Sequence, residues 1–444
     1  MEINEKSRKI LNLAIPATVE NVLHALVGFI DTLMISRIGL MAVTAVGISN
    51  NILAVYLAVF MALGVGTSSL ISRHLGAGKV DYAKKVAIQS IGLSIITGFI
   101  FGLVTIVFGK QILGIMGAES DVLETASSFF YIVGSTSIFI SLVTVFGSIL
   151  RATGDTKSPM FVNTTVNILN VIIDYVLIFG WGPIPAMGVV GTAIGTVVAR
   201  LLGSILMFLK IQKTDIAFKF VEIFKQSNYK ELISLSIPAA LERLVMRLGQ
   251  VIYFGLIVSI GVKTYAAHTI AGNIESFTYM PGYGLTTAAS ILVGNSFGSG
   301  NKKEAYEYGT LSVKIGAIIM AIGGIILYFG CPWFATWFTQ DPEAIEKIIT
   351  ALRIDAFIQI PLAVSLIIAG ALQGLGDTKT PLYSTVIGMW GIRVLGVYIL
   401  GVRLNMDIAG IWISILIDIT IRAIFLTVRF RNKTLKHHEI YEIE

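Results

Sequence analysis

Two aspartates interrupt long apolar stretches of this chain. Asp31 sits in GFIDTLM and Asp174 in NILNVIIDYVLIFG. Asn170 precedes Asp174 by one helical turn and so shares its face. An ionisable side chain among so many apolar neighbours is costly to bury and marks a candidate functional site. Two carboxylates with amide and hydroxyl oxygens suit a hard monovalent cation, or hold one proton between them. No basic residue lies near them in either stretch, which weighs against the alternative of two internally satisfied structural acids.

The elements that must position these acids are helices in lipid. Hydrophobic residues make up 55% of the 444, charged residues only 14%, and the mean hydropathy is +0.81. A water-soluble domain carries about 25% charge, and this composition in water would aggregate. Twelve apolar runs are long enough to span a bilayer, at roughly 10–37, 44–72, 86–112, 124–150, 159–182, 187–212, 232–260, 264–295, 309–330, 345–373, 381–402 and 408–429. The first is too long for a cleavable signal and lacks a small-residue cleavage site. Lys and Arg gather on one side: Lys6, Arg73, Lys79, Lys157, Lys213, Lys379 and Arg431 among others, against Arg37, Lys110, Lys263, Lys347 and Arg403 opposite. That asymmetry predicts a multi-pass protein of the plasma membrane with both termini cytoplasmic. The net charge of +6 then reflects topology and anionic lipid, and nucleic acid is not an expected partner.

The chain repeats itself at an offset of 222, half its length. LRATGDTKSP at 150–159 returns as LQGLGDTKTP at 372–381, and Pro16, Glu20 and Arg200 return as Pro238, Glu242 and Arg422. Six helices per half is an even number, so the repeats run parallel. The expected fold is an all-α polytopic membrane protein: twelve transmembrane helices in two pseudo-symmetric six-helix lobes around a central cavity. Residues 1–210 form the N-lobe with the cation site and 231–430 the C-lobe. Residues 211–230 form a basic, amphipathic cytoplasmic linker, expected as a surface helix, and 431–444 a cytoplasmic tail. The GDTK repeats lack the spacing of a phosphate loop and read as tight turns, with Gly ending one helix and Asp capping the next. Cys331 is alone, so no disulfide or thiolate cluster is expected, and no cofactor.

The acids are not repeated. Position 253, the counterpart of 31, is Tyr253, and 396, the counterpart of 174, is Gly396. The charge asymmetry therefore lies in the N-lobe. Glu20 and His24 share a face with Asp31. Glu20 and its counterpart Glu242 either line the cavity from the two lobes or pair locally, with Arg243 and Arg247 available to Glu242. Glu275 is a further cavity candidate. Met246, Met280 and Tyr279 offer a soft, aromatic lining for a ligand. Asp418 and Arg422, one turn apart, with Arg393 nearby, read as an internal ion-pair network.

These residues bring a family into view. The chain resembles the multidrug and toxic compound extrusion (MATE) transporters over essentially its whole length. The resemblance rests on PATVENVLHALVGFIDTLMISRIG, LRATGDTKSP, NILNVIIDYVLIFG, AMGVVGTAIGT and NIESFTYMPGYGL taken together. The DinF-like branch looks nearest, with NorM-like members more distant. The resemblance implies efflux of organic, mainly cationic compounds in exchange for sodium ions or protons. It implies an N-lobe cation site at Asp31, Asn170, Asp174 and Thr192. The C-lobe acids of NorM-like members fall here on Met246 and Leu362, so a site of that type is not expected.

The function expected is that of a secondary active multidrug antiporter working as a monomer. It would have no metal beyond a sodium ion at the cation site, and its partners would be small organic cations and the bilayer. Two rivals remain: a flippase for lipid-linked precursors from the same superfamily, and a passive facilitator. An enzyme is the least expected reading, because no HExxH, Ser-Lys or Ser-His arrangement stands at membrane depth.

Overall fold

The computed structural model describes residues 2–225 and 228–435. Those residues are helical almost throughout. In chain order the helices are α1 (Glu2–Ser36), α2 (Leu40–Gly76), α3 (Val80–Ile115), α4 (Ser120–Ser135), α5 (Ser137–Ala152), α6 (Lys157–Phe179), α7 (Val189–Ile211), α8 (Lys230–Ile260), α9 (Val262–Gly298), α10 (Lys302–Thr336), α11 (Pro342–Gly374), α12 (Lys379–Val386) and α13 (Asp407–Thr434). The run expected at 124–150 is two helices, α4 and α5, meeting at 48° around Thr136. The run expected at 381–402 begins as α12 and continues in π-helical turns over Ile387–Val394 and Val397–Arg403. Among the described residues ten helices are long and apolar enough to cross a membrane, and the bent pair makes eleven. The expected segment 264–295 is α9, 37 residues long, which carries Asn273 and Glu275 and stays outside that set.

The large exposed side chains fit lipid as the surrounding solvent. Phe99, Phe108, Phe329 and Trp333 all stand mostly uncovered. Inside, hydroxyls join helices: Tyr56 to Thr105 at 3.0 Å, Ser94 to Ser141 at 2.7 Å, Thr67 to Ser90 at 2.9 Å.

Both GDTK turns form as the sequence expects. Gly154 and Gly376 take φ of 88° and 83°, a left-handed conformation that favours glycine. Asp155 Oδ1 then accepts from the Ser158 amide at 2.8 Å, and Asp377 Oδ1 from the Thr380 amide at 3.0 Å.

The linker differs from expectation. Among its described residues it holds one short 3-10 helix, Phe220–Lys225, in place of a longer surface helix. Its apolar residues explain why: Ile216, Phe218 and Ile223 are buried, with Phe218 edge-on to Phe208 of α7. The segment is spent on contacts with the helices around it rather than laid out as one amphipathic rod.

The chain divides into two compact units. The N-half unit holds Val19–Ile71 and Lys79–Ser236. The C-half unit holds the chain from Ile237 on, together with α1 up to Thr18 and Ser72–Gly78. Those short pieces join the C-half through close backbone approach. Gly284 faces Ala14 and Thr18, Gly76 faces the Asn295 backbone, and Gly298 faces that of Arg73, each too near for a Cβ. The N-half core gathers Phe60, Phe129, Phe130 and Ala193; the C-half cores gather Trp412, Leu352, Leu285 and Phe430 among others.

Candidate functional site

In the N-half unit Asp174 of α6 meets the face of α7, and Asp31 of α1 lies near Asp174. Asp174 is fully buried, and Asn170 Nδ2 donates to its Oδ1 at 3.1 Å. Asp31 lies near enough for the two carboxylates to act on each other electrostatically. The Asp174 carboxylate fits only because Gly195 of α7 stands opposite: a Cβ there would collide with Asp174 Oδ1. Thr192, one turn before Gly195, is buried. Asp31 Oδ1, Asp174 Oδ2 and Thr192 Oγ1 are each sealed from solvent with no hydrogen-bond partner among the described residues. Buried polar atoms are usually satisfied, and these three oxygens are not. Oxygens of this kind can hold a bare cation or a proton.

Glu20 lies elsewhere in the same unit. Arg151 Nη1 reaches its Oε1 at 3.2 Å, and Asn163 Nδ2 donates to the same oxygen at 2.6 Å. The C-half repeats that geometry at the offset of 222: Gln373 donates to Glu242 at 3.5 Å and Thr385 at 3.4 Å. Both glutamates pair locally, and Glu242 also lines the cavity of the C-half unit. His24 exposes its side chain.

The C-half unit contains a cavity of about 560 Å³. Glu242, Met246, Glu275 and Tyr279 line it, as does Arg393. Met280, expected beside them, is buried and takes no part in that lining. Glu275, Tyr279 and Tyr283 recur every four residues on one face of α9, and Met280 is turned a step away from it. The expected ion-pair network borders the cavity. Asp418, fully buried, accepts from Arg393 Nε at 2.8 Å and from Arg422 Nε at 2.6 Å. Gly388, in the π-helical stretch, leaves the room that this network occupies.

Sequence reasoning missed one grouping. Glu275 of α9 and Asp355 of α11 lie close enough for their carboxyl groups to act on each other. Gln359 Nε2 donates to Asp355 Oδ2 at 2.9 Å. The available signal was an acid and an amide one turn apart, the same cue that drew attention to Asn170 and Asp174.

A family model described as MatE matches residues 16–176 and 238–399, once in each half. The chain belongs to the MATE family of membrane transporters. It is thus a transporter and not an enzyme. It is 30% identical over 424 residues to a Thermotoga maritima protein named "Probable multidrug resistance protein NorM", covering 95% of this chain and 91% of that one. It is also 30% identical over 432 residues to the Bacillus subtilis "Uncharacterized transporter YisQ", covering 97% and 95%. In fold it is similar to a crystal structure of "MATE in the bent conformation", with a TM-score of 0.90 over 98% of this chain and 97% of that one, at 24% identity.

Proposed function

We propose that this MATE protein is a secondary active exporter of organic, mainly cationic amphiphiles, driven by inward movement of sodium ions or protons. The observation that carries the reading is the set of three unpartnered buried oxygens, Asp31 Oδ1, Asp174 Oδ2 and Thr192 Oγ1, beside the Asn170–Asp174 pair. A monovalent cation coordinated there neutralises two carboxylates that otherwise repel. Ion and drug then stabilise different states of the protein, so each weakens the other's binding by the same factor. Multidrug efflux as the physiological task is supported by the family and by the relatives' names. The DinF-like placement is supported by the N-half residues and by the apolar Met246 and Leu362 where NorM-like acids would stand. Plasma-membrane residence with cytoplasmic termini is supported by the Lys/Arg asymmetry.

The test is efflux of a fluorescent organic cation from vesicles holding the purified protein, with sodium and pH gradients imposed separately. One of the two gradients should drive uphill efflux. Asp31→Asn and Asp174→Asn should abolish it while the protein stays folded and monodisperse. Flux that ignores both gradients would identify a passive facilitator instead, and normal coupling in either variant would remove the N-half site.

A further inference from the structure

The C-half unit holds acids that no step above uses. Asp355 is fully buried in α11, and Glu275 of the neighbouring α9 lies close enough for the two carboxyls to interact. Two carboxylates cannot hydrogen-bond each other, because neither has a hydrogen to donate. Two carboxylates held this near in a buried site repel, and a proton or a cation between them relieves that repulsion.

We propose that Glu275 and Asp355, with Gln359, form a second ion-binding site that takes a proton or a sodium ion independently of the N-half acids. Four observations carry it. Asp355 Oδ1 and Gln359 Oε1 are sealed from solvent without a partner among the described residues, so ligand oxygens stand ready. Gln359 is itself fully buried, and its amide nitrogen is committed to Asp355 at 2.9 Å, which fixes the free carbonyl oxygen beside the pair. The arrangement matches the N-half in kind: amide and acid one turn apart, a second acid from another helix, and unpartnered oxygens. Glu275 also lines the 560 Å³ cavity, which gives an ion a route in.

Arg393 acts on Glu275 electrostatically but is not given over to it. Arg393 spends its Nε on Asp418, which it shares with Arg422. Tyr253 and Tyr279 also face the pair, from α8 and α9, and His268 lies near Arg393. The site is not inherited from the duplication. The counterparts of Glu275 and Asp355 are Leu53 and Val133, both buried in the N-half core. Nor does it stand where NorM-like acids would, since those positions are Met246 and Leu362.

Two readouts on the purified full chain in nanodiscs test this without reference to drug transport. One counts radioactive sodium bound per chain at saturation. The other records the infrared carbonyl band of a protonated carboxyl. Glu275→Gln and Asp355→Asn should each remove one bound sodium, or one protonated-carboxyl band, and leave the ion at Asp31 and Asp174 in place. Asp174→Asn should do the reverse. The near-isosteric Glu275→Gln guards against a variant that fails to fold. If Glu275→Gln changes neither readout, or if Asp174→Asn alone removes every ion and every band, the second site does not exist, and the exporter reading stands untouched.

Discussion

Gly195 helps position the acid chemistry by having no side chain. The Asp174 carboxylate occupies the volume a Cβ would fill, so Gly195→Ala must displace the acid while leaving every candidate ligand in the chain. The expected outcome is a loss of about tenfold or more in coupling-ion affinity, or about 1.4 kcal/mol, seen in the sodium or proton dependence of efflux. At this scale the sequence is a fair guide to single residues and to pairs one turn apart, and a weaker one to pairs between distant helices. Asp31 and Asp174 stood out because each interrupts an apolar run. Their partners do not announce themselves that way. Arg151 meets Glu20 across 131 positions, and Glu275 meets Asp355 across 80, so only the packing of the helices brings each pair together.

Helices obey their apolar runs more faithfully than their own regularity. The twelve segments were legible because the bilayer admits only long apolar spans. The bend between α4 and α5 and the π-helical turns after α12 were not, since both answer to neighbours. The wide turns bring Gly388 against Asp418 and Arg422. Gly388→Ala should break that buried ion pair and lower stability by about 3 kcal/mol, readable as earlier thermal unfolding. The turn from α11 to α12 carries another tie: Lys433 Nζ of α13 lies 2.6 Å from Asp377 Oδ2. Burial pushes the Asp377 carboxyl up, but the bonds from Lys433 and Thr380 outweigh it and hold the group below the usual range. A depressed carboxyl contributes stability above its ordinary value of about 4, and that stability is lost as pH falls through the native value. Asp377→Asn should therefore unfold earlier than the parent at neutral pH. The gap should close as the medium becomes more acid than about pH 4.

The whole molecule keeps the frame of its duplication and lets the chemistry drift. Glu20 and Glu242 still hold matching contacts at the offset of 222. The acids unique to each half do not match at all. Single cysteines at Lys157 and Lys379 should both react with an impermeant thiol reagent only after the membrane is opened, as the charge asymmetry requires. Labelling of either from outside intact cells would reverse the topology. The composition of α9 has a consequence for biosynthesis. It lies outside the set of helices apolar enough to cross a membrane, and it carries Asn273 and Glu275. Glu275 finds its company in α11, synthesised some eighty residues later. As it leaves the ribosome, α9 has no such partner to meet. A nascent chain halted before α11 should hold α9 in the bilayer poorly and expose it to proteases. The complete chain should retain it, because the later helix supplies the carboxyl that α9 waits for.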